Sequence, residues 1–186
     1  ARNALVRDGS LEDCADADIV VIAIGGAPFR PGQTRLDLLE ESAALAEDLA
    51  TRLRRVKPQG IVITITNPAD TVADQMRRAL GLGRERVFGT GTLLDTARLL
   101  RILSEQSGVS QGSIEACCLG EHGDSAMIPF SQVRIGKESF ELTGLDGPEI
   151  LRRTRRAGMD IIQGKGATEF GIGAALADLC GCILTD

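Results

Sequence analysis

With 186 residues, the chain can form one large domain or two small ones around a real buried core. Its 43% apolar and 25% charged content is that of an ordinary globular protein, and a net charge of −5 without basic clusters interleaved with aromatics argues against a nucleic-acid partner. The longest uncharged run, Ile19 to Phe29, falls far short of the ~20 residues of a membrane span, and no signal peptide is visible.

Asp18-Ile19-Val20-Val21-Ile22-Ala23-Ile24-Gly25-Gly26 is a continuous apolar run ending in glycines, the pattern of a parallel strand buried on both faces. A polar segment from Pro28 to Thr34 leads into a helical pattern with Leu45, Leu49, Leu53 and Val56 on one face. Pro58-Gln59-Gly60 stops that helix. A second buried strand, Ile61 to Thr66, ends at Asn67-Pro68, and a helix follows from Ala69 to Leu80. Beyond the Gly81-Leu82-Gly83 break comes a short strand at Val87-Phe88. Strands alternating with helices imply right-handed crossovers and a parallel sheet, so the fold class is α/β.

The rhythm changes at Gly89. A helix is expected from Leu93 to Ser107, then a strand from Ile114 to Leu119 leading into a loop that holds His122, the one histidine of the chain. A looser β-like stretch spans Phe130 to Leu142. Two helices close the chain, Pro148 to Gln163 and Thr168 to Leu184, the second with Ile172, Leu176, Leu179 and Ile183 inward. The basic run Arg152 to Arg156 reads as a solvated helix face rather than a phosphate patch.

In an open parallel sheet, ligands bind outside the carboxyl ends of the strands, here Gly25-Gly26, Asn67-Pro68 and the loop after Gly89. The dinucleotide fingerprint G-x-G-x-x-G is absent: Gly89-Thr90-Gly91 fails at Leu94, and Gly171-Ile172-Gly173 fails at Leu176. The five cysteines have neither framework nor metal-ligand spacing, so reduced thiols and no metal site are expected. Among polar residues, Asp95 and Arg98 stand three apart on one helix face. Taken singly, an ion pair there, a solvated Arg35, a chain-turning Asn67 and a loop His122 are all unremarkable.

Taken together, the segments are similar to the L-lactate/malate dehydrogenase family. The resemblance rests on "DCADADIVVIAIGGAP" from Asp13, "RPGQTRLDLL" from Arg30, "TNPAD" from Thr66, "VFGTGTLLDTARL" from Val87, "GEHGDS" from Gly120 and "KGATEFGIG" from Lys165. These occur in the family's order and cover nearly the whole chain. The resemblance implies the second half of a Rossmann-type parallel sheet followed by an incomplete α+β substrate domain. Residues 1–89 would be a partial NAD-binding domain lacking the glycine fingerprint, and residues 90–186 a partial catalytic domain.

The resemblance also implies roles. His122 would be the acid/base of hydride transfer between NAD and a 2-hydroxy acid, and Asp95 would orient its imidazole. Arg98 would clamp the substrate carboxylate with its bidentate fork, and Arg35 would polarise the ketone. Asn67 would hydrogen-bond the reacting oxygen or steady the nicotinamide. Thr168 and Ile172 would line the pocket beside the substrate's tail and the nicotinamide ring. Gly25, Gly26 and Ala27 would approach the cofactor. Lactate enzymes of the family carry glutamine, and malate enzymes arginine, where this chain has Phe29. A phenyl ring there implies an uncharged substrate side chain. The partners implied are a small 2-keto/2-hydroxy acid and further copies of the chain, as a dimer or tetramer in the cytoplasm.

Set against the family, a first βαβ unit and the terminal strands and last long helix are lacking. The 186 residues are therefore expected to be an internal piece of a longer polypeptide, inactive by itself, with an open sheet edge. Two readings compete with the lactate-like one: malate dehydrogenase, and a non-catalytic remnant acting as an interaction module.

Overall fold

The computed structural model describes residues 4–25 and 35–185, with residues 35–39 and 41 described by backbone alone. Gly26, Ala27 and Phe29 lie outside the described residues, and of Arg35 only the backbone is described. The chain forms two compact units that meet in sequence between Gly89 and Thr90.

The first unit is a three-stranded parallel sheet, β1 (Ile19–Ile22), β2 (Ile61–Thr64) and β3 (Val87–Gly89), in that order. Helix α1 (Arg35–Val56) connects β1 to β2, and α2 (Ala69–Leu80) connects β2 to β3. The register brings Ile22, Thr64 and Gly89 level, so all three carboxyl ends open at one edge. Val20, Ile22, Ala46, Ala50, Leu53, Val62, Val72, Met76, Leu80 and Val87 form the core.

Two local constraints hold the opposite edge. A Cβ on Gly60 would lie 2.1 Å from the Ala17 carbonyl oxygen, so only glycine lets β2 begin beside β1. The Arg86 guanidinium donates to the carbonyls of Pro58, Gln59 and Gly60, tying down the turn into β2.

The α1 face agrees with the expected one at Leu53, buried, and at Leu49 and Val56, half-buried, and departs from it at Leu45. Leu45 is 41% exposed, while Ser42, Ala46, Ala50 and Leu53 are buried. Ala46 and Ala50 share the contact with Leu53 and Leu49, and the buried stripe passes beside Leu45. The strands are also shorter than their apolar runs. β1 ends at Ile22 and β2 at Thr64, although the Ile65 N–H still donates to the Ile22 carbonyl at 3.0 Å.

The second unit begins with α3 (Leu93–Ser107) and a small antiparallel sheet of β4 (Ile114–Glu115), β5 (Arg134–Ile135) and β6 (Glu138–Ser139). Helices α4 (Gly147–Lys165) and α5 (Phe170–Thr185) follow. The Asp146 carboxylate caps α4 by accepting the Glu149 N–H. Leu99, Ile102, Leu103, Ile114, Cys118, Ile128, Val133, Ile135, Phe140 and Ile150 make the core, with the Phe130 and Phe140 rings 4.6 Å apart.

Two expectations need correction here and one is refined. The strand expected to reach Leu119 stops at Glu115, because α3 side chains take the place of a ladder partner at Cys118. The β-like stretch from Phe130 to Leu142 is two short strands flanked by 3₁₀ turns. The last helix starts at Phe170, which leaves Thr168 in the exposed connection, and Ile172, Leu176, Leu179 and Ile183 are half-buried.

Candidate active site

Helix geometry is the starting point. Residues three apart project from one face, and on α3 this pairs Asp95 with Arg98, Nη1 to Oδ1 at 3.1 Å. Both side chains are largely withdrawn from water, at 7% and 12% exposed. The carboxylate's other oxygen, Oδ2, lies 2.5 Å from Nδ1 of His122, 27 residues further along. One buried carboxylate thus serves two partners. Desolvating an anion costs several kcal/mol unless it is paired, and this one is paired twice.

The loop that brings His122 back to α3 is held at several points. The Thr96 hydroxyl accepts the Cys118 N–H at 2.9 Å, and the Thr92 hydroxyl donates to the Cys118 carbonyl at 2.7 Å. Leu119 and Met127 then pair through two backbone hydrogen bonds of 2.8 and 2.9 Å, closing the base of the loop. On the returning arm, the Ala126 carbonyl accepts two N–H groups from Arg155 of α4. Within the loop, Ser125 donates to Glu121. Under the Arg98 fork lies Gly158 of α4, where a Cβ would come 3.3 Å from Nη2. The glycine leaves the guanidinium room to lie flat against the helix.

Cys118 sits behind this cluster, 3% exposed. Burial, and secondarily the Asp95 charge, pushes its thiol up to about 12. Since the thiolate is the reactive form, Cys118 stays a neutral thiol at pH 8 in the folded protein. Alkylation with iodoacetamide at that pH should label the exposed Cys182 and spare Cys118, as read by peptide mass spectrometry. Rapid labelling of Cys118 without denaturant would contradict the buried placement.

His122, Asp95 and Arg98 are therefore brought together. In the first unit, Gly25 follows β1 and Asn67 follows β2, with the Thr66 hydroxyl donating to the Ile24 carbonyl between them. A Cβ on Gly25 would meet nothing within 4 Å, and Asn67 is exposed. Thr168 is exposed and Ile172 half-buried in the second unit. Sequence reasoning missed Thr92, Thr96, Arg155 and Gly158. Only the spacing of Thr92 and Thr96, one turn apart beside Asp95, carried a usable signal. Among the described residues, no group of three or more His, Cys, Asp or Glu is placed to hold a metal ion. No described helix is long and apolar enough to cross a membrane.

Residues 1–89 match the model of the lactate/malate dehydrogenase NAD binding domain, and residues 92–186 that of the lactate/malate dehydrogenase alpha/beta C-terminal domain. The chain is 43% identical to L-lactate dehydrogenase 3 of Bacillus anthracis over 97% of its own length and 60% of that protein. It is 40% identical to the L-lactate dehydrogenase of Thermus aquaticus, over 97% of this chain and 61% of that one. Among solved structures, a lactate dehydrogenase from a Medee basin deep-sea metagenome library superposes with a TM-score of 0.82 at 34% identity, over 90% of this chain and 56% of that one. The malate dehydrogenase of Aeropyrum pernix superposes with a TM-score of 0.85 at 32% identity, over 91% and 56%. The chain spans about 60% of the length of the curated relatives it matches.

Proposed function

The chain belongs to the lactate/malate dehydrogenase family, and on that premise we propose that it carries the catalytic residues of an NAD-dependent oxidoreductase acting on a small 2-hydroxy/2-keto acid with an uncharged side chain. The observation that supports this best is the single buried Asp95 carboxylate bonded to both His122 and Arg98. A scaffold or interaction module has no use for that arrangement.

Each role follows from the chemistry of the group. When Nδ1 of His122 donates to Asp95, Nε2 is the nitrogen that takes the hydroxyl proton as the alcohol is oxidised. Asp95 holds that tautomer and stabilises the imidazolium that results. Arg98, its Nη1 fixed by Asp95, offers a planar fork to the substrate carboxylate. Arg35, the first residue of α1, polarises the substrate's carbonyl as it forms or is reduced. Asn67 steadies the reacting oxygen or the nicotinamide, and Thr168 and Ile172 line the pocket.

The residues present fit a nicotinamide dinucleotide. β1 and β2 end side by side, Gly25 meets open space, and the exposed amide of Asn67 stands at the strand end. Gly25, Gly26, Ala27, Asn67 and Ile172 would hold it, and when bound it accepts or returns the hydride at the substrate carbon. The same reading places the enzyme in the cytoplasm, in carboxylic acid metabolism, as a homo-oligomer.

Phe29 decides between lactate-like and malate-like substrates. An unpaired carboxylate beside a phenyl ring costs several kcal/mol, so oxaloacetate is expected to have a kcat/KM about two orders of magnitude below that of the best neutral 2-keto acid. The test is kcat/KM of the full-length protein with NADH across oxaloacetate, pyruvate, 2-ketobutyrate and 2-ketoisocaproate. Oxaloacetate as best substrate would overturn the neutral-substrate reading in favour of malate.

A further inference from the structure

We infer that Arg155 is a positioning residue for catalysis: from α4 it latches the returning arm of the loop that carries His122. The inference rests on the dehydrogenase reading above.

Arg155 belongs to the run Arg152 to Arg156, and its neighbours behave differently from it. Arg152 pairs with Glu149, Arg153 with Glu105 and Arg156 with Asp160, all through carboxylates at the surface. Arg155 instead turns Nε and Nη2 onto one backbone carbonyl, that of Ala126, with Nε at 2.9 Å and Nη2 at 2.5 Å. Two charged donors on one carbonyl make a directional hold that a single neutral hydrogen bond lacks. Ala126 is also tied to the loop's interior, its N–H donating to the Gly123 carbonyl next to His122.

The placement of the hold matters. The outgoing arm is anchored by Thr92 and Thr96 at Cys118, and the arms meet at Leu119 and Met127. Arg155 fixes the other side, so the imidazole meets Asp95 from a loop gripped on both arms. Arg98, in contrast, stands on α3 and does not depend on the loop. Loss of the latch should therefore disturb proton transfer while leaving the carboxylate clamp in place. That predicts a fall in kcat per folded enzyme with little change in KM, accompanied by faster exchange confined to the loop, whereas a general loss of stability quickens exchange throughout the unit.

The test compares Arg155→Met and Arg155→Lys in the full-length protein, using pyruvate and NADH. Arg155→Met should lower kcat by about 30-fold with KM changed less than about threefold, a small displacement of the catalytic group being sufficient for a loss of that order. Arg155→Lys, which keeps the charge and one donor, should recover part of the loss. Amide hydrogen exchange in residues 119–127 should quicken by about tenfold in the methionine variant as the arm opens more often. Unchanged kcat, a loss confined to KM, equal losses in both variants, or unaltered exchange would overturn the latch. If the methionine variant does not fold, the lysine variant decides by the same split. Absence of NADH-dependent 2-keto acid reduction by the unsubstituted full-length protein would instead sink the dehydrogenase reading, and the exchange measurement would still report on the latch.

Discussion

In the full-length protein, His122→Asn is expected to lower kcat for NADH-dependent 2-keto acid reduction by about three orders of magnitude, within the range that general acid–base loss produces. Asparagine can still reach the Asp95 carboxylate through its amide, so the buried anion keeps a donor and the fold is retained. It cannot carry a proton to or from the substrate oxygen at neutral pH. Arg98 is seated on α3 by Asp95 at 3.1 Å, independently of the imidazole, so KM should change far less than kcat. Steady-state kinetics on the purified variant separate the two. Turnover near the wild-type value would mean that another group moves the proton, and the assignment of His122 would be wrong.

Asp95→Asn should be nearly as severe, and for a different reason. The variant keeps its size but loses the charge that serves both neighbours. Its amide presents N–H or C=O to Nδ1 without discriminating the tautomers, and the imidazolium loses its counter-charge. By analogy with other carboxylate–histidine pairs, kcat should fall by about two to three orders of magnitude. Arg98, at 12% side-chain exposure, is left as a poorly compensated cation. Breaking one side of a buried pair costs about 3–5 kcal/mol in stability. A carboxylate ligand that binds Arg98 restores part of that compensation. It should therefore raise the melting temperature of the variant more than that of the wild type. A variant with kcat within tenfold of wild type would show that Asp95 is structural only.

Much of the architecture is legible in the amino-acid sequence. Continuous apolar runs made β1 and β2 legible as strands, although β1 is buried on one face only, with Val20 and Ile22 inward and Val21 exposed. Helices α2 and α3 span Ala69–Leu80 and Leu93–Ser107 as read, since Gly81 and Gly108 accept the positive φ of their caps, at 68° and 72°. The Asp95–Arg98 pair was legible too, because residues three apart share a helix face whatever the helix packs against.

What those patterns report is local backbone repeat, and the errors fall where distance in sequence decides. The α1 periodicity pointed to Leu45, Leu49, Leu53 and Val56, of which Leu53 is buried and Leu49 and Val56 are half-buried. Leu45 is exposed and the buried stripe runs through Ser42, Ala46 and Ala50, a choice set by neighbouring elements and invisible from within the helix. Apolar content past Glu115 suggested more strand, but Thr92 and Thr96 capture the backbone of Cys118 from another element. A run of arginines looks uniform in sequence, yet Arg155 alone of the run turns its guanidinium onto the backbone of the His122 loop. The sequence by itself determined the elements, the family resemblance and the residue types available for chemistry. Only the tertiary structure decided that Asp95 and His122, 27 residues apart, share a 2.5 Å contact, because that distance depends on how a loop is gripped by two helices and on no repeat within either one.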